Sequence, residues 1–144
     1  MEQQQRQKIV KALNKLKLDA ISVENPALPG TPDVNYIGGW MELKYIRDWP
    51  KRDSTTVRLD HFTQQQRIWL IRRWMNFGQC WLCLQVSKTR DWFLFTGKDA
   101  GMSLAKDGCN KAKVFELASF HGHSADEIAD YIIKDDNAHF SRLS

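Results

Sequence analysis

Asp33, Glu42 and Lys44 lie within one short stretch, GTPDVNYIGGWMELKY, running from Gly30 to Tyr45 and broken by the Gly38-Gly39 pair. Neighbouring carboxylates can share a divalent cation: Mg²⁺ takes oxygen ligands, typically one or two carboxylates with waters and phosphate oxygens. Such an ion stabilises charge developing on a phosphate and lowers the pKa of a bound water. A lysine beside the acids can orient that water, help deprotonate it and offset anionic charge. The three side chains therefore supply the parts needed to hydrolyse a phosphodiester. The same spacing also describes a solvated hairpin face on which Lys44 pairs with Asp33 or Glu42.

The segments DVNYI and WMELKYI alternate in polarity around the two glycines, a hairpin signal because primed turns need positive φ at the turn centre. With Gly38 and Gly39 as the turn residues, Ile37 faces Trp40, Asn35 lies opposite Glu42, and Asp33 lies opposite Lys44. Residues opposite one another share a sheet face, as do residues two apart along a strand. Asp33, Asn35, Glu42 and Lys44 then occupy one face; Val34, Tyr36, Met41, Leu43 and Tyr45 occupy the other, ready for burial against a helix. Asp33 and Glu42 become diagonal neighbours at about 7 to 8 Å between backbones. A one-residue slip would move one strand's set to the other face, so the arrangement depends on register, and Asn35 joins the candidates.

The elements that must position this hairpin are legible on both sides of it. Ile9, Val10, Ala12, Leu13 and Leu16 recur at helical spacing between Gln4 and Leu18, which predicts an amphipathic first helix. AISVEN reads as a short strand, closed by Pro26 and Pro29-Gly30. After the hairpin, RDWPKRDSTTVRLDH is basic and aperiodic, a long loop of the kind that often carries function. FTQQQRIWLIRRWMNFG has Thr63 and Gln66 in the spacing of a capping box, with Gly78 at the C-terminal cap. QCWLCLQVS and DWFLFTG suit a strand pair, and SADEIADYIIKD reads as a final helix capped by Ser124 and Glu127. The predicted order is α-β-β-β-α-β-β-α, an α/β fold with a mixed β-sheet flanked by helices. A chain of 144 residues suits one domain, 1-144, without repeat or linker.

Pro32-Asp33 followed by Glu42-Leu43-Lys44 after a glycine turn resembles the signature of the PD-(D/E)XK nuclease superfamily. The resemblance covers roughly Glu2 to Val86. The preceding helix, the PGTPD entry and the glutamine-bearing FTQQQRIW are similar to the small virus-type replication-repair nuclease and Holliday-junction-resolvase-like branches. The C-terminal third carries no matching motif. The resemblance implies a restriction-endonuclease-like core and a Mg²⁺-dependent endodeoxyribonuclease, with Mn²⁺ as a substitute ion. It implies that Asp33, Glu42 and the Leu43 carbonyl bind the metal, that Lys44 serves the water, and that Gln66 is the later motif glutamine. Glu2 would be the first-helix glutamate that some branches turn toward the site. Branched, junction or flap DNA is the implied substrate, in repair, recombination or viral DNA processing, and junction cleavage implies a homodimer. The competing class is a nucleic-acid-binding or structural domain that keeps the fold without turnover.

Composition agrees with a polyanionic partner. The formal net charge is +4, with basic residues clustered between Lys44 and Arg73. Lys51, Arg52 and Arg58 in the loop, with Arg67 on the following helix, are candidates for DNA-backbone contacts that position a duplex without reading sequence. His61, just before that helix, is a further candidate for phosphate contact, and Trp49 for a nucleotide wedge. No segment resembles a signal peptide or membrane span, and an odd three cysteines fit a reducing, intracellular setting. Cys80 and Cys83 lack a second pair and read as core residues on opposite strand faces; His121 and His123 alone fall short of a zinc site.

Overall fold

The computed structural model describes the backbone of residues 2–143 and side chains through residue 136. The chain runs through α1 (Glu2–Lys15), β1 (Ile21–Ser22), β2 (Val34–Tyr36), β3 (Gly39–Ile46), α2 (Gln64–Met75), β4 (Cys80–Val86) and β5 (Asp91–Thr96). It continues through α3 (Gly97–Ser103), α4 (Lys111–Leu117), β6 (Phe120–Gly122) and α5 (Ala125–Leu143). The strands form one six-stranded sheet in sequence order. Every pairing is antiparallel except β3 with β4. A parallel pair needs a crossover connection, and α2 lies in it.

Each sheet face buries a separate apolar layer. On one, Val34, Tyr36, Met41, Leu43, Trp81 and Cys83 pack against Ile9, Ala12 and Leu13 of α1 and Ile128, Ala129 and Ile132 of α5. On the other, Leu82, Leu84, Phe93 and Phe95 meet Leu70, Ala100 and Val114 of the opposite helices. Coverage of both faces explains why β4 and β5 read as nearly continuous apolar runs rather than alternating ones. No helix among the described residues is long and apolar enough to cross a membrane.

The mixed α/β class and flanking helices agree with the sequence expectation; the predicted order lacks three elements. Helices α3 and α4 are only seven residues each, too short to show amphipathic period, and are started by Thr96 and Asn110 side chains that accept from Asp99 N and Lys113 N. Strand β6 is a three-residue edge. The apolar AISVEN shrinks to a two-residue strand, with Ile21 53 % exposed.

The hairpin register also differs from expectation. Pairs Val34↔Met41, Asn35↔Trp40 and Tyr36↔Gly39 make Ile37-Gly38 the turn. Neither Gly38 nor Gly39 adopts positive φ. Both are required by close approach instead: a Cβ on Gly38 would meet the Asp136 carboxylate, and one on Gly39 the Gln79 carbonyl. Partners shift by two residues relative to the expected pairing, so the faces survive: Val34, Tyr36, Met41 and Leu43 are buried together, while Asp33, Glu42 and Lys44 share the other side.

Candidate active site

Continuing the register by one residue sets Asp33 opposite Glu42, directly rather than diagonally. Asp33 closes the end of β2 with its side chain: Oδ2 accepts from Leu43 N at 2.9 Å, and Oδ1 accepts from Arg6 of α1 at 3.0 Å. The Arg6–Asp33 pair is part-exposed, 25 % on each side chain.

Glu42 is 2 % exposed. Its Oε2 lies 3.2 Å from Lys44 Nζ, and its buried Oε1 meets no N–H donor, so the carboxyl's other hydrogen bond is a proton shared with Asp33. Burial pushes the carboxyl up to about 8; the Asp33 charge pushes in the same direction and Lys44 opposes it. The two neighbouring acids are each paired with one base, Asp33 with Arg6 and Glu42 with Lys44.

Lys44 is equally buried and is held by three acceptors. Besides Glu42, Nζ donates to Gln66 Oε1 and to the His61 carbonyl, each at 3.0 Å, which uses all of an ammonium's donors. Gln66 both contacts Lys44 and caps α2. Its Oε1 accepts from Thr63 N at 3.0 Å while its own N–H donates to Thr63 Oγ1 at 3.2 Å, a complete capping box. The cap thus fixes the oxygen that fixes the lysine.

Several candidates sit elsewhere or act through different atoms. Asn35 lies opposite Trp40, not Glu42, and spends its amide on Gly39 O at 3.1 Å, bracing the turn. His61 contributes its backbone carbonyl, with φ of 62° and an exposed side chain. Arg67 turns inward: its guanidinium donates to Gly101 O and Leu104 O at 3.3 and 3.1 Å and lies 4.2 Å from the Phe62 ring centre, so it secures α3. Trp49 is core, 8 % exposed, stacked on Phe115 and bonded to Thr89 and Asp91. Glu2 is exposed one turn before Arg6, in a surface cleft with Gln3, Arg6 and Tyr45. Lys51, Arg52 and Arg58 are exposed, as a phosphate-contacting role requires. Cys80 and Cys83 are buried on opposite faces, their thiols pushed up by burial, Cys80 to about 12.

Two α1 residues complete the site unannounced. Gln5 is fully buried and donates to Lys44 O at 2.8 Å and Cys83 O at 3.3 Å, bridging β3 and β4. Its signal is positional: Gln5, Ile9, Ala12 and Leu13 share the buried face of α1, and a polar residue in an apolar stripe implies a partner. Arg6 beside it carries no comparable sequence signal. No family model, curated protein or solved structure matches the chain.

Proposed function

We propose that this chain is a metal-dependent endodeoxyribonuclease of PD-(D/E)XK type that hydrolyses DNA phosphodiesters, with a restriction-endonuclease-like core and a preference for branched, junction or flap DNA. The observation that carries the reading is the constellation itself: Glu42 is buried directly opposite Asp33, with Lys44 Nζ locked 3.2 Å from its Oε2. A purely structural hairpin gains nothing from burying two neighbouring acids that raise one another's proton affinity. The α1-β1-β2-β3-α2-β4 run, with β3 parallel to β4, supports the finer fold.

The residues fit a hard cation. Asp33, Glu42 and the Leu43 carbonyl would hold Mg²⁺, with Mn²⁺ as substitute, and the oxygen-only set suits either. When bound, the ion supplies Lewis-acid stabilisation of the phosphate and a more acidic water. Arg6 supplies the countercharge to Asp33, a place a bound cation would share. Lys44, aimed by Gln66 and the His61 carbonyl, presents fixed positive charge to the water and the scissile phosphate. Lys51, Arg52 and Arg58 track the DNA backbone.

The Arg6–Asp33 ion pair favours one second reading, a nucleic-acid-binding domain without turnover in which arginine has replaced the ion. Incubating untagged protein with labelled linear, flap and four-way-junction DNA, in Mg²⁺, Mn²⁺ or EDTA, separates the two. Metal-dependent cleavage that is lost in Asp33→Ala and Glu42→Ala, with DNA affinity retained, is the expected result. Binding without cleavage in either metal would establish the second reading, and wild-type cleavage by either variant would remove the site assignment.

A further inference from the structure

The sheet's far edge brings together a second constellation that the phosphodiester chemistry does not use. Asp91 opens β5, and the register Trp92↔Gly122, Phe93↔His121 continues to set Asp91 opposite His123, with His121 on its diagonal. His121 lies on β6 and His123 is the first residue past its end, where the extended chain carries both to the Asp91 side. One ligand atom from each of Asp91, His121 and His123 lies within 4.8 Å of the other two.

We propose that Asp91, His121 and His123 form a binding site for a Zn²⁺-class transition metal, with three protein ligands and a coordination position left for water. The nitrogen-rich set suits a borderline ion over Mg²⁺.

Each ligand is already oriented by a neighbour. Asp91 Oδ2 accepts from Thr89 Oγ1 at 2.5 Å and Trp49 Nε1 at 3.2 Å, which leaves Oδ1 to face the imidazoles, 2.7 Å from His121 Nε2. The His121 ring is stacked on Phe93 at 4.7 Å and set edge-on to Phe115 at 4.9 Å. His123 Nδ1 lies 3.1 Å from Arg90 O. A carbonyl only accepts, so Nδ1 carries the hydrogen and the neutral ring offers Nε2 as a lone pair. Metal-binding histidines are characteristically held this way, by a carbonyl or carboxylate on the far nitrogen. In the metal-free arrangement the Asp91–His121 hydrogen bond occupies the place of the metal–ligand bonds, and an ion replaces it by binding both.

The site also reaches the basic loop. Trp49 hangs from Asp91 Oδ2 two residues before Lys51, so an ion that fixes Asp91 fixes the loop's root.

The test titrates untagged, metal-stripped protein with Co²⁺ and Zn²⁺, reading the visible absorption of Co²⁺ and the thermal midpoint with Zn²⁺. Expected are one equivalent of Co²⁺ with the intense bands of a low-coordinate nitrogen-containing site, displacement by Zn²⁺ but not by excess Mg²⁺, and a Zn²⁺-raised midpoint. His123 is exposed, so His123→Ala should fold and bind at least about tenfold more weakly, the least that disturbing such a site costs. Asp33→Asn combined with Glu42→Gln should leave the titration unchanged. Absence of the Co²⁺ bands, an unchanged Co²⁺ affinity in His123→Ala, or loss of the bands only in the Asp33/Glu42 variant would overturn the proposal.

Discussion

A lysine with three acceptors and a glutamate buried against a second acid divide the site's electrostatics unevenly, and the imbalance falls on Glu42. Its folded carboxyl rises from the ordinary 4.5 to about 8 because burial, and then Asp33, disfavour the charged form more than Lys44 favours it. The unfolded chain therefore releases this proton near pH 4.5 while the folded chain keeps it until about 8. Between those values the native state binds more protons, so metal-free stability is highest below the lower pKa and falls as pH rises through the window, with a limiting slope of about 1.4 kcal/mol per unit. Glu42→Gln removes the titration and should flatten this decline. Urea midpoints in EDTA from about pH 5 to about pH 8 read the difference between the two proteins; parallel profiles would show that Glu42 is not buried as an acid.

At the scale of elements, the C-terminus of α2 shows where local chemistry departs from the expected residue. Phe77 N donates to Trp74 O at 3.0 Å and Gly78 N to Arg73 O at 2.9 Å, the paired bonds of a Schellman motif. The left-handed position falls on Phe77, with φ of 65°, and not on Gly78. Phe77 is 89 % exposed, so packing returns little for the strain. Phe77→Gly should stabilise the fold by about 1 kcal/mol, read as a raised thermal midpoint; an unchanged or lowered midpoint would mean the ring contributes more than its exposure implies. The hairpin offers a coupled case. Gly38→Ala drives a methyl into the Asp136 carboxylate and should cost roughly 1 to 3 kcal/mol. In an Asp136→Ala background most of that cost should vanish, and strictly additive effects would contradict the contact. These elements also show what could be read in advance. Strand faces were legible because side-chain parity survives a two-residue change of partner, and the capping box because it is local. Turn position was not legible, since Gly38 and Gly39 answer to Asp136 and Gln79, distant in sequence. Nor was the Asp91 cluster, whose members meet only when β6 finds β5.

For the molecule as a whole, the long loop between β3 and α2 is pinned at three places. Trp49 is buried at its start, Val57 N donates to Cys109 O at 2.8 Å in its middle, and the His61 carbonyl holds Lys44 at its end. Between the first two pins, residues 51–55 are all exposed, which sets Lys51 and Arg52 on a fixed base facing solvent. On the proposed function these two side chains meet phosphates, and each phosphate neutralised contributes about 0.9 to the slope of log affinity against log salt. Lys51→Ala with Arg52→Ala should lower that slope by about 1.8 while stability stays within about 0.5 kcal/mol of the parent. Arg67→Ala should do the opposite. Its guanidinium is committed to the Gly101 and Leu104 carbonyls, so its loss should lower the unfolding midpoint and leave the salt slope in place. Fluorescence-anisotropy titrations of a labelled duplex across salt, beside denaturant unfolding of the same proteins, read both quantities. A slope that falls in Arg67→Ala and holds in the loop variant would move the DNA interface from the loop to the α2–α3 face.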